Sequence, residues 1–316
     1  MTSAERPRRT CLTVPGSSER FLAKAASLAA DEVILDLEDA VAPKVKDEAR
    51  ALVASALERG WQGDQVLAVR VNAVNGPWAY RDVIEIVERA GRAVDAIVLP
   101  KVSAPEHVSW LDLLLSQVET ATGLPPGRIA IEAQIEDAAG LAAADQIAVS
   151  SPRLAALVFG PADFMASVGM RSLSIGAQPP GYSGGDAFHY ALMRILVAAR
   201  SAGLQAIDGP YAAIADLDGL AVAAASAAAL GFDGKWVLHP DQIGPVNAAF
   251  SPTQDEYERA EGLLEVYENA TTGQGRGAVR HGSEMIDEAS RKLALVAAAR
   301  GRAAGLTKGG EQAGKG

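Results

Sequence analysis

The stretch AALVFGPADFMAS, residues 155–167, runs as an apolar, strand-like segment up to Phe159 and then turns at Gly160 and Pro161. A carboxylate, Asp163, follows this turn directly. A short apolar run that is bounded by Gly and Pro is typical of a buried strand in a parallel sheet. An acid at the end of such a strand is a candidate metal ligand, provided that the rest of the chain supplies others.

Seven further apolar runs of this kind occur along the chain, and helical segments rich in Ala, Leu and Glu lie between them. The eight runs begin near residues 11, 33, 66, 96, 129, 155, 204 and 235. Alternating strands and helices are typical of parallel β/α units, and eight such units predict an α/β fold, the closed eightfold β/α (TIM) barrel. An open doubly wound sheet is the alternative, but no G-x-G-x-x-G motif follows the first strand.

The pattern of strands stops near residue 250, and two more helical stretches follow it, at residues 253–270 and 285–300. A Gly-rich loop separates them. The final segment has little that is apolar, which is typical of a disordered tail. We therefore expect three parts: a barrel catalytic domain over residues 1–250, a C-terminal helical extension over residues 251–305, and a disordered tail over residues 306–316.

Composition excludes several classes of protein. The chain has 316 residues, of which 49% are hydrophobic, so it can bury a substantial core. Its net charge of −10 argues against nucleic acid as the main partner. No apolar run approaches the ~20 residues of a membrane span, so we expect no membrane partner. The single cysteine, Cys11, excludes an intrachain disulfide and a Cys-based zinc site, and it fits a cytoplasmic location.

Polar side chains follow most of the predicted strands, at the end of a β/α barrel where active sites lie. Carboxylates dominate this set, and the chain has one cysteine and four histidines. This donor set favours a hard, oxygen-preferring cation, Mg²⁺ before Zn²⁺, for which Glu136 and Asp163 on adjacent strands would suffice. The alternative is that the acids cap the helices that follow, a contribution of about 0.3–1 kcal/mol each. The acids are Glu38, Asp39, Glu136, Asp137, Asp163 and Asp208.

Arg70 lies inside the otherwise apolar third run, VLAVRV. A buried guanidinium is costly unless it is paired, so we expect Arg70 to face either these acids or an anionic substrate. A purely structural salt bridge is the alternative.

Eight segments, in order, resemble the citrate lyase β-subunit-like acyl-CoA lyases of the HpcH/HpaI aldolase family. They are VPGSSERFLAKA, VILDLEDAVAPKVKDEAR, VRVNA, IVLPKV, QIEDAAG, FGPADF, AIDGPY and GKWVLHPDQI. Two of these segments in longer form, SPRLAALVFGPADFMASVGM and AIDGPYAAIADLDG, and one further segment, MIDEAS, are most similar to the malyl-CoA and β-methylmalyl-CoA lyases. The resemblance spans residues 10–300.

The resemblance implies an enzyme, a carbon–carbon lyase that depends on Mg²⁺, with Mn²⁺ as the alternative. Its reaction would be the reversible Claisen-type cleavage of a 3-hydroxyacyl-CoA, such as malyl-CoA or β-methylmalyl-CoA, to acetyl-CoA or propionyl-CoA plus glyoxylate. Coenzyme A would enter as part of the substrate. The alternatives are a citramalyl-CoA lyase that releases pyruvate, a malyl-CoA thioesterase, and a non-catalytic CoA-binding protein.

The resemblance also assigns roles to residues of the barrel. It places the metal on Glu136 and Asp163, and not on the nearby Glu132. It makes Arg70 the residue that stabilises the thioester enolate. The acids that order metal-bound water would be Glu38 and Asp39.

Two further assignments concern CoA and the C-terminal extension. In the first loop the family often has P-G-S-R, whereas Ser18 stands at the position of that arginine, so Arg20 and Lys24 are the candidates for the CoA phosphates. Asp287 matches an aspartate of the family's lid, which would act as acid or base at the acyl-CoA α-carbon. The resemblance implies a homotrimer or homohexamer in which residues 251–305 close over the neighbouring subunit's barrel.

Overall fold

The computed structural model describes residues 6–273, 277–282 and 284–309. Eight parallel strands close into a barrel in which each strand pairs with the next and the last pairs with the first. This confirms the predicted eightfold β/α barrel and excludes the open sheet. The strands are β1 Thr10–Pro15, β2 Glu32–Asp36, β3 Val66–Arg70, β4 Ala96–Leu99, β5 Ala130–Ile135, β6 Leu154–Phe159, β7 Gln205–Asp208 and β8 Gly234–Val237.

Helices connect the strands, as the sequence pattern predicts, and two of the connections contain a pair of helices. Short 3₁₀ turns precede α2, at Pro43–Val45, and α10, at Pro240–Gln242. The helices of this unit are α1 Glu19–Ala25, α2 Lys46–Glu58, α3 Ala79–Ala90, α4 Pro105–Thr122, α5 Ala138–Ala142, α6 Ala144–Ala148, α7 Pro161–Ser167, α8 His189–Ser201, α9 Leu217–Leu230 and α10 Ile243–Ala249.

The barrel has two apolar layers, as the period of the strands requires. Alternate residues face outward and pack under the helices, which forms the larger layer. The other residues face inward and form a second cluster of mostly small side chains, including Ala68, Ala96 and Ala156. Cys11 belongs to this inner cluster and is a free, buried thiol.

A buried ionic cluster fills the end of the barrel where β1 begins. Arg8 lies fully buried there, with its guanidinium 3.2 Å from Glu132 and 3.5 Å from Glu32. Burial, together with the negative charge of Glu32, raises the pKa of Glu132 well above its ordinary value. Glu132 thus lies at the end of the barrel where the strands begin, and its partner there is Arg8.

The chain divides into two compact units, with the boundary between Phe250 and Ser251. In the second unit, α11 (Gln254–Glu268) and α12 (Glu288–Ala303) pack through a small apolar cluster that includes Tyr257, Ala260, Ala294 and Ala298. Leu306, at the start of the predicted tail, packs against this cluster. Residues 310–316 of the predicted tail lie outside the described residues.

The segment between these two helices differs from the predicted loop. A π-helical turn, Asn269–Gly273, extends α11, and two short strands, β9 (Val279–His281) and β10 (Glu284–Ile286), pair antiparallel. Gly282 lies in the turn between them with a positive φ of 58°, a conformation that favours glycine. Ile286, which the sequence pattern placed in a helix, therefore belongs to a strand. None of the helices in the described part of the chain is long and apolar enough to cross a membrane.

Candidate active site

Lys101 lies at the centre of the acids that the sequence analysis singled out. It follows β4 and is the one non-glycine residue with a positive φ, 53°, in the part of the chain that the structure describes. Its Nζ donates to Glu38 and lies 3.3 Å from Asp39 and 3.4 Å from Asp163. Burial lowers the pKa of Lys101, but the bond to Glu38 and the nearby carboxylates outweigh it and raise the pKa above its ordinary value.

Glu136 directly follows β5 and is 4% exposed. Its Oε1 accepts a 2.5 Å hydrogen bond from the backbone N–H of Lys101, and its Oε2 accepts a 3.0 Å bond from Gln134. Burial, followed by the negative charge of Glu38, raises the pKa of Glu136 to about 8. A positive charge nearby would therefore stabilise the ionised form of Glu136.

Asp163 lies in the first turn of α7, and its side chain is 43% exposed. Gly160 precedes this helix, and a Cβ on Gly160 would lie 2.5 Å from Glu136 Oε2 and 2.4 Å from Glu136 Cβ. The glycine therefore leaves space beside the buried carboxylate, on the segment that carries Asp163.

These residues fit a magnesium ion. They supply one buried and one partly exposed carboxylate, with space beside the first, and Mg²⁺ commonly takes one or two protein carboxylates. Among the described residues, no group of three or more His, Cys, Asp and Glu side chains could hold a metal ion. The donor set therefore suits a cation that leaves several coordination positions to water and substrate.

Arg70, at the end of β3, joins the same cluster of acids. Its guanidinium binds Asp36 with two hydrogen bonds, lies 3.2 Å from Glu38, and stacks 5.1 Å from the centre of the Trp236 ring. Glu38 therefore bridges Arg70 and Lys101. The expected pairing of Arg70 with acids is present, but its main partner is Asp36, which the sequence analysis did not single out.

Buried polar side chains hold the loop after β2 in place. Lys46 donates to the carbonyl oxygens of Leu37 at 3.0 Å and of Glu38 at 2.9 Å. Asn72 donates to the Leu37 carbonyl at 3.0 Å and to Asp82 at 2.7 Å. Lys46 is the first residue of α2, and Asn72 lies just after β3.

Two of the predicted acids have local partners and lie outside this cluster. Asp137 caps α5 and accepts a 2.6 Å bond from the Gly140 N–H, which is the alternative that we considered for these acids. Asp208 pairs with Lys235 at 2.5 Å. The structure thus separates capping and paired acids from the four around Lys101, which are Glu38, Asp39, Glu136 and Asp163.

The residues assigned to CoA lie around the C-terminal ends of β1 and β8. Arg20 and Lys24 line a cavity of about 510 Å³, together with Phe21, Leu28 and His239. This cavity combines two cations with apolar walls. Ser18 instead caps α1, where its hydroxyl accepts a 3.4 Å bond from the Phe21 N–H.

Asp287 belongs to the second unit and is the N-cap residue of α12. Its carboxylate accepts hydrogen bonds from the Ser290 N–H at 3.0 Å and from the Ser290 hydroxyl at 3.2 Å. These bonds hold the pKa of Asp287 below its ordinary value. Asp287 is therefore an exposed carboxylate whose ionised form is stabilised by the helix cap.

Comparisons with known proteins match most of the chain. The model of the HpcH/HpaI aldolase/citrate lyase family matches residues 9–240. An L-malyl-CoA/β-methylmalyl-CoA lyase of Cereibacter sphaeroides is 38% identical over 299 residues, which are 92% of this chain and 93% of that protein. The citrate lyase subunit β of Haemophilus influenzae is 36% identical over 280 residues, 89% of this chain and 92% of that protein.

A solved structure also resembles this chain. It is the crystal structure of the protein CitE from Mycobacterium tuberculosis in complex with magnesium, acetoacetate and coenzyme A. The two chains are 28% identical, with a TM-score of 0.74, over 94% of this chain and 99% of that one.

Proposed function

The chain belongs to the HpcH/HpaI aldolase/citrate lyase family, and from this we propose that it is a Mg²⁺-dependent acyl-CoA lyase. Its reaction is the reversible Claisen-type cleavage of a 3-hydroxyacyl-CoA, such as malyl-CoA or β-methylmalyl-CoA. The products are acetyl-CoA or propionyl-CoA and glyoxylate. The identity to malyl-CoA/β-methylmalyl-CoA lyases over nine-tenths of the chain supports this choice within the family.

One observation carries the proposal. Arg70, aligned by Asp36, lies 3.2 Å from Glu38. Lys101 in turn links Glu38 to Asp163, at the end of the barrel where active sites lie. A fixed guanidinium beside a pair of carboxylates suits a reaction in which an anion develops next to a chelating 2-oxo acid.

The cleavage breaks the bond between the α-carbon and the hydroxyl-bearing carbon of the substrate. The hydroxyl group loses its proton and becomes the carbonyl of glyoxylate, while the bonding electrons pass to the acyl-CoA as its enolate. That enolate then takes up a proton at the α-carbon. Bound at Glu136 and Asp163, Mg²⁺ would supply Lewis-acid polarisation of the 2-oxo acid.

Arg70 would stabilise the enolate oxygen in this scheme. The guanidinium is fixed before the substrate arrives, because Asp36 accepts hydrogen bonds from two of its N–H groups. A preorganised donor of this kind commonly lowers a reaction barrier by about 2.7–4 kcal/mol. Glu38 and Asp39 would orient water at the mouth of the site. Both are anchored by the same Lys101 ammonium.

The cavity beside β1 supports a CoA substrate. Its two cations, Arg20 and Lys24, suit the phosphates of CoA, and its apolar walls suit the rest of that cofactor. We assign no phosphate contact to Ser18, because its hydroxyl caps α1.

We also propose that the protein is a homotrimer or homohexamer in which residues 251–305 act as a lid over the neighbouring subunit's barrel. Asp287 would then accept or return the α-carbon proton of the acyl-CoA. A lid would exclude water from the enolate, which favours cleavage over hydrolysis. We propose a cytoplasmic location, which the single free and buried cysteine supports.

Condensation assays test the proposed substrates. Acetyl-CoA and propionyl-CoA are each incubated with glyoxylate or pyruvate and Mg²⁺, and the acyl-CoA products are identified by mass spectrometry. The proposal predicts malyl-CoA and β-methylmalyl-CoA from the glyoxylate reactions. Products formed with pyruvate alone would assign a citramalyl-CoA lyase instead, and no condensation product with either acid would contradict a lyase.

A further inference from the structure

Lys101 contacts both candidate metal ligands, each with a different end of the residue. Its backbone N–H donates to Glu136 at 2.5 Å, and its ammonium lies 3.4 Å from Asp163 Oδ2. The same ammonium donates to Glu38 and lies 3.3 Å from Asp39. One side chain therefore occupies the centre of the carboxylate cluster.

The backbone of Lys101 is strained at this position. A lysine with a φ of 53° is in the left-handed region, which side chains other than glycine, asparagine and aspartate rarely adopt. The surrounding contacts must therefore compensate for this strain, and strained residues of this kind cluster at functional sites. The conformation aims the backbone N–H at Glu136 while the side chain reaches the acids on two other strand ends.

Charge explains what the ammonium does there. Four carboxylates, Glu38, Asp39, Glu136 and Asp163, gather around Lys101, and Arg70 is occupied mainly by Asp36. Without a metal, the ammonium is the positive charge shared by Glu38, Asp39 and Asp163, and Arg70 adds to it at Glu38. A divalent cation among the same acids would relieve their mutual repulsion more strongly and would repel the ammonium.

We propose that Lys101 is a built-in counter-cation of the metal site: it holds the acids together in the metal-free protein and leaves Asp163 when a divalent cation binds. This inference rests on the proposed metal site at Glu136 and Asp163. Its consequence is that Lys101 lowers the affinity for the metal while it stabilises the metal-free site. A residue that only supported the site would raise the affinity instead.

Calorimetric titration with Mg²⁺ tests this consequence on Lys101→Met, which keeps an unbranched side chain only one atom shorter and removes the charge. The matched control is Lys44→Met, which removes an exposed lysine in the 3₁₀ turn before α2. We expect Lys101→Met to bind Mg²⁺ about tenfold more tightly than wild type, since a like charge is removed from the site. We also expect a lower melting temperature in EDTA than for Lys44→Met. Unchanged or weaker Mg²⁺ binding would overturn the proposal.

A second measurement uses the wild-type protein and does not depend on the folding of a variant. The Lys101 side chain is 36% exposed, so its amine is accessible to trace acetylation with acetic anhydride, read by mass spectrometry. Release from the carboxylates by Mg²⁺ should raise the acetylation rate of Lys101 several-fold relative to that of Lys44. An unchanged or lower relative rate would contradict the displacement.

A wrong metal site and a wrong role for Lys101 would give different results. If wild-type protein does not bind Mg²⁺ at all, the proposed metal site itself is wrong. If Mg²⁺ binds and Glu136→Gln abolishes the binding, while Lys101→Met has no effect, only the role of Lys101 is wrong.

Discussion

Asp36 accepts two hydrogen bonds from Arg70, from Nε at 2.7 Å and from Nη2 at 2.6 Å. Asp36 is fully buried, and it also accepts bonds from the backbone N–H groups of Glu38 and Ala40. One carboxylate therefore fixes both the guanidinium and the loop that carries Glu38. Burial lowers the pKa of Arg70, but Asp36 and Glu38 outweigh it and raise the pKa, so the group stays charged.

This arrangement predicts that Arg70→Lys slows turnover far more than it weakens substrate binding. Lysine keeps the positive charge but lacks the planar guanidinium that binds Asp36 through two N–H groups. We expect kcat to fall by about 100-fold or more, with a much smaller change in KM. Steady-state kinetics measures both, and Mg²⁺ binding serves as the control for an intact site. A kcat equal to that of wild type would remove Arg70 from the enolate role.

Removal of either metal carboxylate should abolish Mg²⁺ binding. Glu136→Gln and Asp163→Asn each remove one of the two charges that face the cation, so we expect no binding by calorimetry and almost no activity. Glu132→Gln is the matched control, because Glu132 pairs with Arg8 at the other end of the barrel. If both site variants bind Mg²⁺ as wild type does, the metal lies elsewhere.

The pKa of Glu136 predicts a pH-dependent stability of the metal-free protein. Burial and the charge of Glu38 raise this pKa to about 8 from an ordinary value of 4.5. The folded protein thus keeps a proton that the unfolded chain loses, so the contribution of this group is fully present below 4.5 and is lost as the pH rises through about 8. Glu136→Gln cannot ionise and avoids this loss.

The measurement compares melting temperatures in EDTA between about pH 5 and about pH 9. We expect the melting temperature of Glu136→Gln, relative to that of wild type, to rise with pH across this range. A difference that does not change with pH would show that Glu136 titrates near its ordinary value.

The proposed lid predicts complementation between two inactive variants. Asp287→Asn and Asp163→Asn are coexpressed, and the hybrid oligomers are assayed. If the lid acts on the neighbouring barrel, roughly a quarter of the sites combine an intact barrel with an intact lid. If the lid acts within its own chain, no site has both groups, and activity stays at the background of the two separate variants. That second result would contradict an exchange of lids.

The sequence was sufficient to predict the barrel, and it predicts the candidate site at the C-terminal ends of the strands. Eight apolar runs with helices between them permit one closed arrangement, and the active end follows from the direction of the strands. Glu136 and Asp163 could be named because Glu136 directly follows one apolar run and Asp163 follows the Gly-Pro turn that ends the next. Of the residues that surround them in space, the sequence indicated the acids, because acids stand out from the apolar strands.

Other features depended on three-dimensional relationships that periodicity does not record. In the sequence, Asp36 is one residue of a predicted buried strand. Its bond to Arg70 forms because β2 and β3 are adjacent and the two residues are paired in register. The left-handed backbone of Lys101 is set by the contacts around it. The β9–β10 hairpin was missed because a Gly-rich segment predicts a loop equally well.

The most direct test of the central claim follows the fate of malyl-CoA. The purified protein is treated with EDTA and incubated with malyl-CoA, before and after Mg²⁺ is restored, while glyoxylate, acetyl-CoA, malate and free CoA are quantified. We expect equal amounts of glyoxylate and acetyl-CoA, formed only when Mg²⁺ is present and not by Glu136→Gln. Malate and free CoA without glyoxylate would show hydrolysis in place of carbon–carbon cleavage and would contradict the account.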